Sequence, residues 1–301
     1  MSDSVEILRR KIEKAGALGS VVRTMKTLAA TNIRQYEEAV RALGDYYRTV
    51  ELGLSVCFRQ AAKGAKSSRA AVEPELEAIA VVFGSDQGLV GQFNDRLADT
   101  ARSSPLLRSA VGAIILPVGE RMAMRLEESG LATEPLFRVP NSVNAITPLV
   151  GELLSRIEKL RAGRPLFRLI LFYNAPVSGA IYKPVAKPLL PLDEAWEEEI
   201  RKEIGPWPGN SMPEAPNGLE TTRWALVREY LFVSLFRACA ESLASENASR
   251  LSAMQRAEKN IDELLEEFAR QYNQRRQADI DEELFDVIAG FQAVNDVANI
   301  R

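Results

Sequence analysis

Residues 81–94, VVFGSDQGLVGQFN, have the make-up of a turn that could hold a phosphate. An apolar run, AIAVVF, breaks at Gly84 into a loop with three glycines, and QFNDRLADTARS follows with helical character. Strand, glycine loop and helix N-terminus together offer backbone N–H groups to an anion. A P-loop needs G-x-x-x-x-G-K-[ST], because its lysine reaches the phosphates and its hydroxyl holds magnesium. Here Leu89 stands five residues after Gly84, and no lysine follows until Lys159. Gly88 and Gly91 are three apart, so the dinucleotide spacing G-x-G-x-x-G fails too. The loop carries no charged ligand of its own, and it reads as a tight turn whose glycines permit positive φ and close packing.

Other chemistry is narrowed by composition. The chain of 301 residues contains no histidine, which removes the usual neutral-pH base and the commonest metal ligand. Its two cysteines, Cys57 and Cys239, lie in the apolar contexts LSVCF and FRACA and read as small buried hydrophobes, not as a zinc pair or a disulfide. No cofactor and no metal are expected. A net charge of −3 gives no global attraction to nucleic acid. No run of 18 apolar residues is present, and the acid-bearing start MSDSVEILRRK reads as no signal peptide.

The elements that would position such a loop are set by proline. The first proline is Pro74 and the last Pro216, so both ends of the chain are free to form long helices. In the first segment Leu8, Ile12, Ala15, Val22, Met25, Ala29, Ile33, Tyr36 and Val40 recur at helical spacing. In the second, Val227, Leu231, Leu235, Ala238, Ala248, Leu251, Ile261, Leu264, Phe268 and Tyr272 repeat it, and Leu284, Ile288 and Phe291 extend it. Each helix could reach on the order of 100 Å, more than one globular core covers, so an antiparallel coiled coil of the two ends is expected. Many stripe positions are alanine, which makes the pairing thin and suggests that a partner surface supplies further burial. Residues 9–34 hold seven bases and one acid, whereas residues 255–286 hold ten acids and five bases. Opposite fields favour the pairing, and the basic segment also fits a collar for an acidic partner.

Between these helices strands and helices alternate. LEAIAVVFGS, VGAIILPVG and PLFRLILFYNA read as strands, EPLFRVP as a weaker one, and IYKPVAKPLLPL as an edge strand demoted by its prolines. Helices are expected over QFNDRLADTARS, ERMAMRLEESG and residues 144–161. The predicted fold class is α/β plus a long antiparallel coiled coil. The N- and C-terminal helices (1–70 and 219–301) pair, a small Rossmann-like α/β domain (75–193) is inserted between them, and 194–218 is a linker.

SDQGLVGQFN resembles the SDRGLCGGLN turn of the γ subunits of F-type ATP synthases. At the C-terminal end Ala244, Ser245, Glu246, Ala248, Arg250, Ala253, Met254, Asn260, Tyr272, Asn273, Arg276, Gln277, Ile280, Glu283 and Leu284 match that family's words in order. Near the start VVRTMKTLAATNIR is similar to ITKAMKMVAAAKLR, with Met25, Ala29 and Ala30 in place. The departures are Gly16 and Gly19 in the first helix, and Val90, Gln92 and Phe93 in the turn; they suggest a divergent branch, such as the alternate, second synthase that some genomes encode. The resemblance implies a non-catalytic rotor at the centre of a ring of three α and three β subunits. Its foot would meet the ε subunit and the c-subunit ring, on the cytoplasmic face of the cell membrane. It further implies that Arg23, Met25 and Lys26 face an acidic lever of β, and that Arg276, Gln277, Asp281 and Glu283 engage a β loop. Tyr182 and Lys183 fall in the arm nearest the foot. Two readings compete: a coiled-coil scaffold without a rotary role, and a nucleotide-binding Rossmann-like enzyme.

Overall fold

The computed structural model describes residues 2–62, 76–161, 167–177, 181–192, 196–198, 200, 213–215 and 218–298. Most of the expected linker, and the end of the chain beyond residue 298, lie outside them. In chain order the elements are α1 (Ser2–Ala62), β1 (Glu77–Phe83), α2 (Phe93–Ser103), α3 (Pro105–Arg108), β2 (Ala113–Val118), α4 (Glu120–Glu128), a 3₁₀ turn (Val143–Ala145), α5 (Ile146–Arg161), β3 (Phe167–Val177), β4 (Ile181–Leu190) and α6 (Leu219–Ala298). The long helices therefore fall within the two proline-free ends, as lack of proline permits. The chain divides into two compact units, Met1–Leu28 with Leu251–Arg301, and Ala29–Arg250.

The larger unit is built on one sheet of order β2-β1-β3-β4. β1 is parallel to both β2 and β3, and β4 returns antiparallel to β3 at the edge. β1 reads as a continuous apolar run because both of its faces are covered. On one face Ile79, Val81, Phe83, Leu169 and Leu171 pack with α5 and with Tyr36, Leu54, Tyr230, Leu235 and Leu243 of the long helices. On the other, Ala80, Val82, Ile170 and Phe172 pack with Leu97 and Ala101 of α2 and with Met122 and Leu126 of α4. Both cysteines are buried and free, as their apolar settings suggest.

One expected strand does not form. EPLFRVP touches β2 only through isolated bridges, Ile115 with Thr133 and Val118 with Phe137. Four residues of β2 (115–118) face five of this segment (133–137), so the register slips, and Pro135 has no N–H to donate. The helix expected over 144–161 starts as the 3₁₀ turn and becomes α-helical from Ile146.

Candidate functional site

In the smaller unit α1 and α6 run side by side around Val22, Met254 and Ile261, flanked by Met25, Ala253, Ala257 and Leu265. Gly19 is buried at the contact, and a Cβ there would lie 3.4 Å from the Ile261 side chain. Lys26 donates to Glu258 across the pair, and the Lys11 ammonium sits 5.6 Å from the centre of the Phe268 ring. Ile7, Leu8 and Lys11 meet Gln271, Gln274, Arg275 and Ala278 further along. The direction is therefore antiparallel: α1 numbers fall as α6 numbers rise. Three stripe positions differ from expectation. Leu265 takes the seam, while Leu264 is 44% exposed. Leu284 and Ile288 are 55% and 44% exposed, while Ile7, Leu8 and Lys11 of α1 lie beside residues 271–278.

The partner-facing residues expected from sequence fall into two bands on this unit. Met25 is half-buried against the seam and Lys26 is engaged with Glu258, while Arg23 is exposed. Arg276, Gln277, Asp281 and Glu283 are all exposed on α6. Eighteen residues separate Glu258 from Arg276, about 27 Å along a helix axis, so the two bands are not one cluster. Beside the second band Ile280, Leu284, Phe285 and Val287 are 49%, 55%, 69% and 71% exposed. In the larger unit Lys183 is exposed on β4, and the Tyr182 ring meets the edge of Phe93 at 5.4 Å between centroids.

The glycine loop turns out to be a structural latch. A Cβ on Gly84 would stand 2.3 Å from Cβ of Met122, so α4 comes too close for any other residue. Gly91 has φ +57°, and Leu89 shares that left-handed region at +62°. Asn94 accepts from the Ser85 backbone N–H and donates to its hydroxyl at 3.1 and 2.8 Å. Asp86 takes the Glu120 N–H at the start of α4 and the Val139 N–H, at 2.9 and 3.1 Å. The loop's polar groups are thus engaged in holding α4 and the segment after it. Charge does reach the loop from α4, a contribution that its own sequence hid. Arg121 and Arg125 line the cleft beside residues 88–91, together with Asp95 and Glu128. Arg125 is bound to both acids, at 2.7 and 2.9 Å, so the cleft has no excess of positive charge for a phosphate.

On α6 lies one ionisable group that the sequence did not single out for chemistry. Glu246 is buried and accepts from the Arg250 guanidinium at 2.8 Å. Burial pushes its carboxyl up to about 7; Arg250 pulls it back, and Asp86 adds to the rise. Its second oxygen and Nε of Arg250 are buried without a hydrogen-bond partner.

A family model described as ATP synthase matches residues 4–294. The ATP synthase gamma chain of Glaesserella parasuis is 27% identical, the match covering 95% of this chain and 98% of the relative. That of Leifsonia xyli is 26% identical over 98% and 99%. Among solved structures, a chain of the rotor of the Euglena gracilis mitochondrial ATP synthase has a TM-score of 0.61 at 19% identity, covering 93% of this chain and all (100%) of that one. A chain from the central stalk and c-ring of the Tetrahymena thermophila mitochondrial enzyme has a TM-score of 0.57 at 21% identity, covering 79% and 99%. The paired terminal helices, the inserted sheet and a family match over nearly the full length agree: the chain belongs to the γ-chain family of ATP synthases.

Proposed function

We propose that the chain is the central-stalk rotor subunit of an F-type ATP synthase, coupling ion flow through the membrane ring to ATP synthesis or hydrolysis in the α/β hexamer. The observation that carries the reading is the antiparallel pairing of the two chain ends in one unit, around Val22, Met254 and Ile261. A stalk that works inside other subunits needs a helix pair with partner-facing groups left outside its own seam. The exposure of Arg23, Arg276, Gln277, Asp281 and Glu283, and of the apolar side chains at 280, 284, 285 and 287, supports that use. Identities of 25–27% to the curated γ chains fit a divergent branch of the family.

In this reading the domains are the stalk helices 1–70 and 219–301, the inserted α/β domain 75–193 and the linker 194–218. The subunit is non-catalytic and works by imposing different states on the three catalytic sites of the hexamer. Arg23, Met25 and Lys26 face an acidic lever of β. Arg276 and Gln277, with Asp281 and Glu283 beyond them, hold a β loop; the planar guanidinium suits carbonyl or carboxylate oxygens. The α/β domain binds the ε subunit and the c ring. No helix among the described residues is long and apolar enough to cross a membrane. In this reading the subunit is held peripherally, through its partners, at the cytoplasmic face.

Native mass spectrometry of the complex purified through this chain tests the reading: one copy should appear with three α and three β subunits. A homodimer without them would replace it by the scaffold reading. Within the complex, Arg276→Ala with Gln277→Ala should lower ATP-driven coupling without unfolding the chain. Reversing charge at Arg23 should weaken coupling more at low salt than at high salt. Unchanged coupling in both would remove these residue assignments.

A further inference from the structure

Three serines on α6 are used unlike several other helical hydroxyls among the described residues. Thr24, Thr49, Ser103 and Thr222 donate back to the carbonyl four residues earlier on their own helices. Ser242, Ser245 and Ser249, spaced by three and four residues, share one face of α6 and donate outward instead. Ser242 donates to the Phe83 carbonyl at the end of β1 at 3.0 Å, and Ser245 to the Asn174 carbonyl of β3 at 2.9 Å. Ser249 donates to the Val90 carbonyl of the glycine loop at 2.5 Å. Ser242 and Ser245 are buried, and Asn174 in turn donates to the Phe93 carbonyl at the start of α2 at 3.2 Å. A short polar seam therefore joins α6 to two strands and the glycine loop.

The seam supplies something that the apolar packing beside it cannot. Hydrophobic burial is non-directional, and α6 brings the small side chains Ala238, Ala240 and Ala244 as well as Leu235, Phe236 and Leu243 to the apolar cluster beside the seam. A hydrogen bond has a narrow range of distance and angle. Sliding α6 by one residue, about 1.5 Å, or turning it about its axis would break all three bonds together.

We propose that Ser242, Ser245 and Ser249 are positioning residues that key α6 to the α/β body, so that a torque on the helix turns the body without slip. The proposal rests on the rotor reading above. Its test is the triple variant Ser242→Ala, Ser245→Ala, Ser249→Ala in the assembled complex, with ATP hydrolysis and ATP-driven ion pumping measured on the same membrane vesicles. Hydrolysis should stay near the wild-type rate while ions pumped per ATP fall several-fold. A role confined to stability would lower yield or the melting temperature and leave that ratio unchanged. If the triple variant does not assemble, Ser249→Ala alone should lower the ratio, and Ser249→Thr, which keeps the hydroxyl, should restore it. An assembled variant, triple or single, that pumps with the wild-type ratio overturns the proposal. Failure of the wild-type chain to co-purify with α and β would sink the rotor reading instead, and that outcome is read separately.

Discussion

Replacing Glu246 by glutamine should change how stability depends on pH. The carboxyl is buried, and the titratable or charged groups facing it are Arg250 and Cys239 from its own helix, Tyr36 from α1 and Asp86 from the loop after β1. Its folded-state value of about 7, against 4.5 when free, means that the folded chain holds this proton more tightly than the unfolded chain. The associated stability is fully present below pH 4.5, is lost as pH rises through about 7, and is absent above. A shift of that size corresponds to roughly 3 kcal/mol at most. Urea unfolding of the full chain at pH 5, 6, 7 and 8, followed by circular dichroism, measures it. Near pH 5 the protonated acid and the amide are alike, and the two proteins should nearly coincide. By pH 8 the wild type should have lost up to about 3 kcal/mol more than Glu246→Gln. The amide cannot ionise, yet it still accepts from Arg250. Parallel curves for the two proteins from pH 5 to 8 would refute the reasoning, because the buried carboxyl would then titrate no differently from a free one.

Gly84→Ala should destabilise the chain by about 1–3 kcal/mol through overpacking, since its Cβ would meet a Cβ of α4 and not a flexible side-chain tip. Gly88→Ala, whose nearest neighbour is an Arg121 nitrogen at 3.7 Å, should be close to neutral in the same thermal melt. Gly16→Ala meets nothing within 4 Å and should stabilise α1 by about 0.5–1 kcal/mol. Gly19→Ala, 3.4 Å from Ile261 and Arg23, should gain less, and a larger gain at Gly19 than at Gly16 would contradict the close approach of the two helices.

The long helices were legible because their signals are local. Absence of proline and an apolar step of three or four residues suffice, and Val22, Ala29 and Tyr36 are buried where the stripe placed them. The phase of the stripe is less secure. From Ile261 to Phe268 the steps three-then-four and four-then-three both land on leucine, and only contact with α1 selects Leu265 over Leu264. The serine seam was not legible, since its acceptors are backbone carbonyls at Phe83, Val90 and Asn174, at least 71 residues away, and every residue type has a carbonyl. Nor could the loop's own sequence show that Arg121 and Arg125 reach it from α4 and that two acids offset them there.

The apolar residues near the end of α6 mark the limit of periodicity. Ile280, Leu284, Val287 and Ile288 continue the helical spacing of the buried stripe, so they look like more of the same seam. Periodicity says only that one face of a helix is meant to be covered; it does not say by which chain. The answer is in the exposure. Among the described residues, Leu8 and Lys11 lie beside Gln271 and Gln274, while Ile280, Leu284, Val287 and Ile288 are 49%, 55%, 71% and 44% exposed. An intramolecular seam that ends before the apolar pattern ends leaves that pattern for another polypeptide. Polar substitution at Leu284 or Val287 should therefore leave the stability of the isolated chain within about 0.5 kcal/mol of wild type. The same substitution should weaken function in the assembled complex. A large loss in the isolated chain would mean that these side chains already have an intramolecular partner.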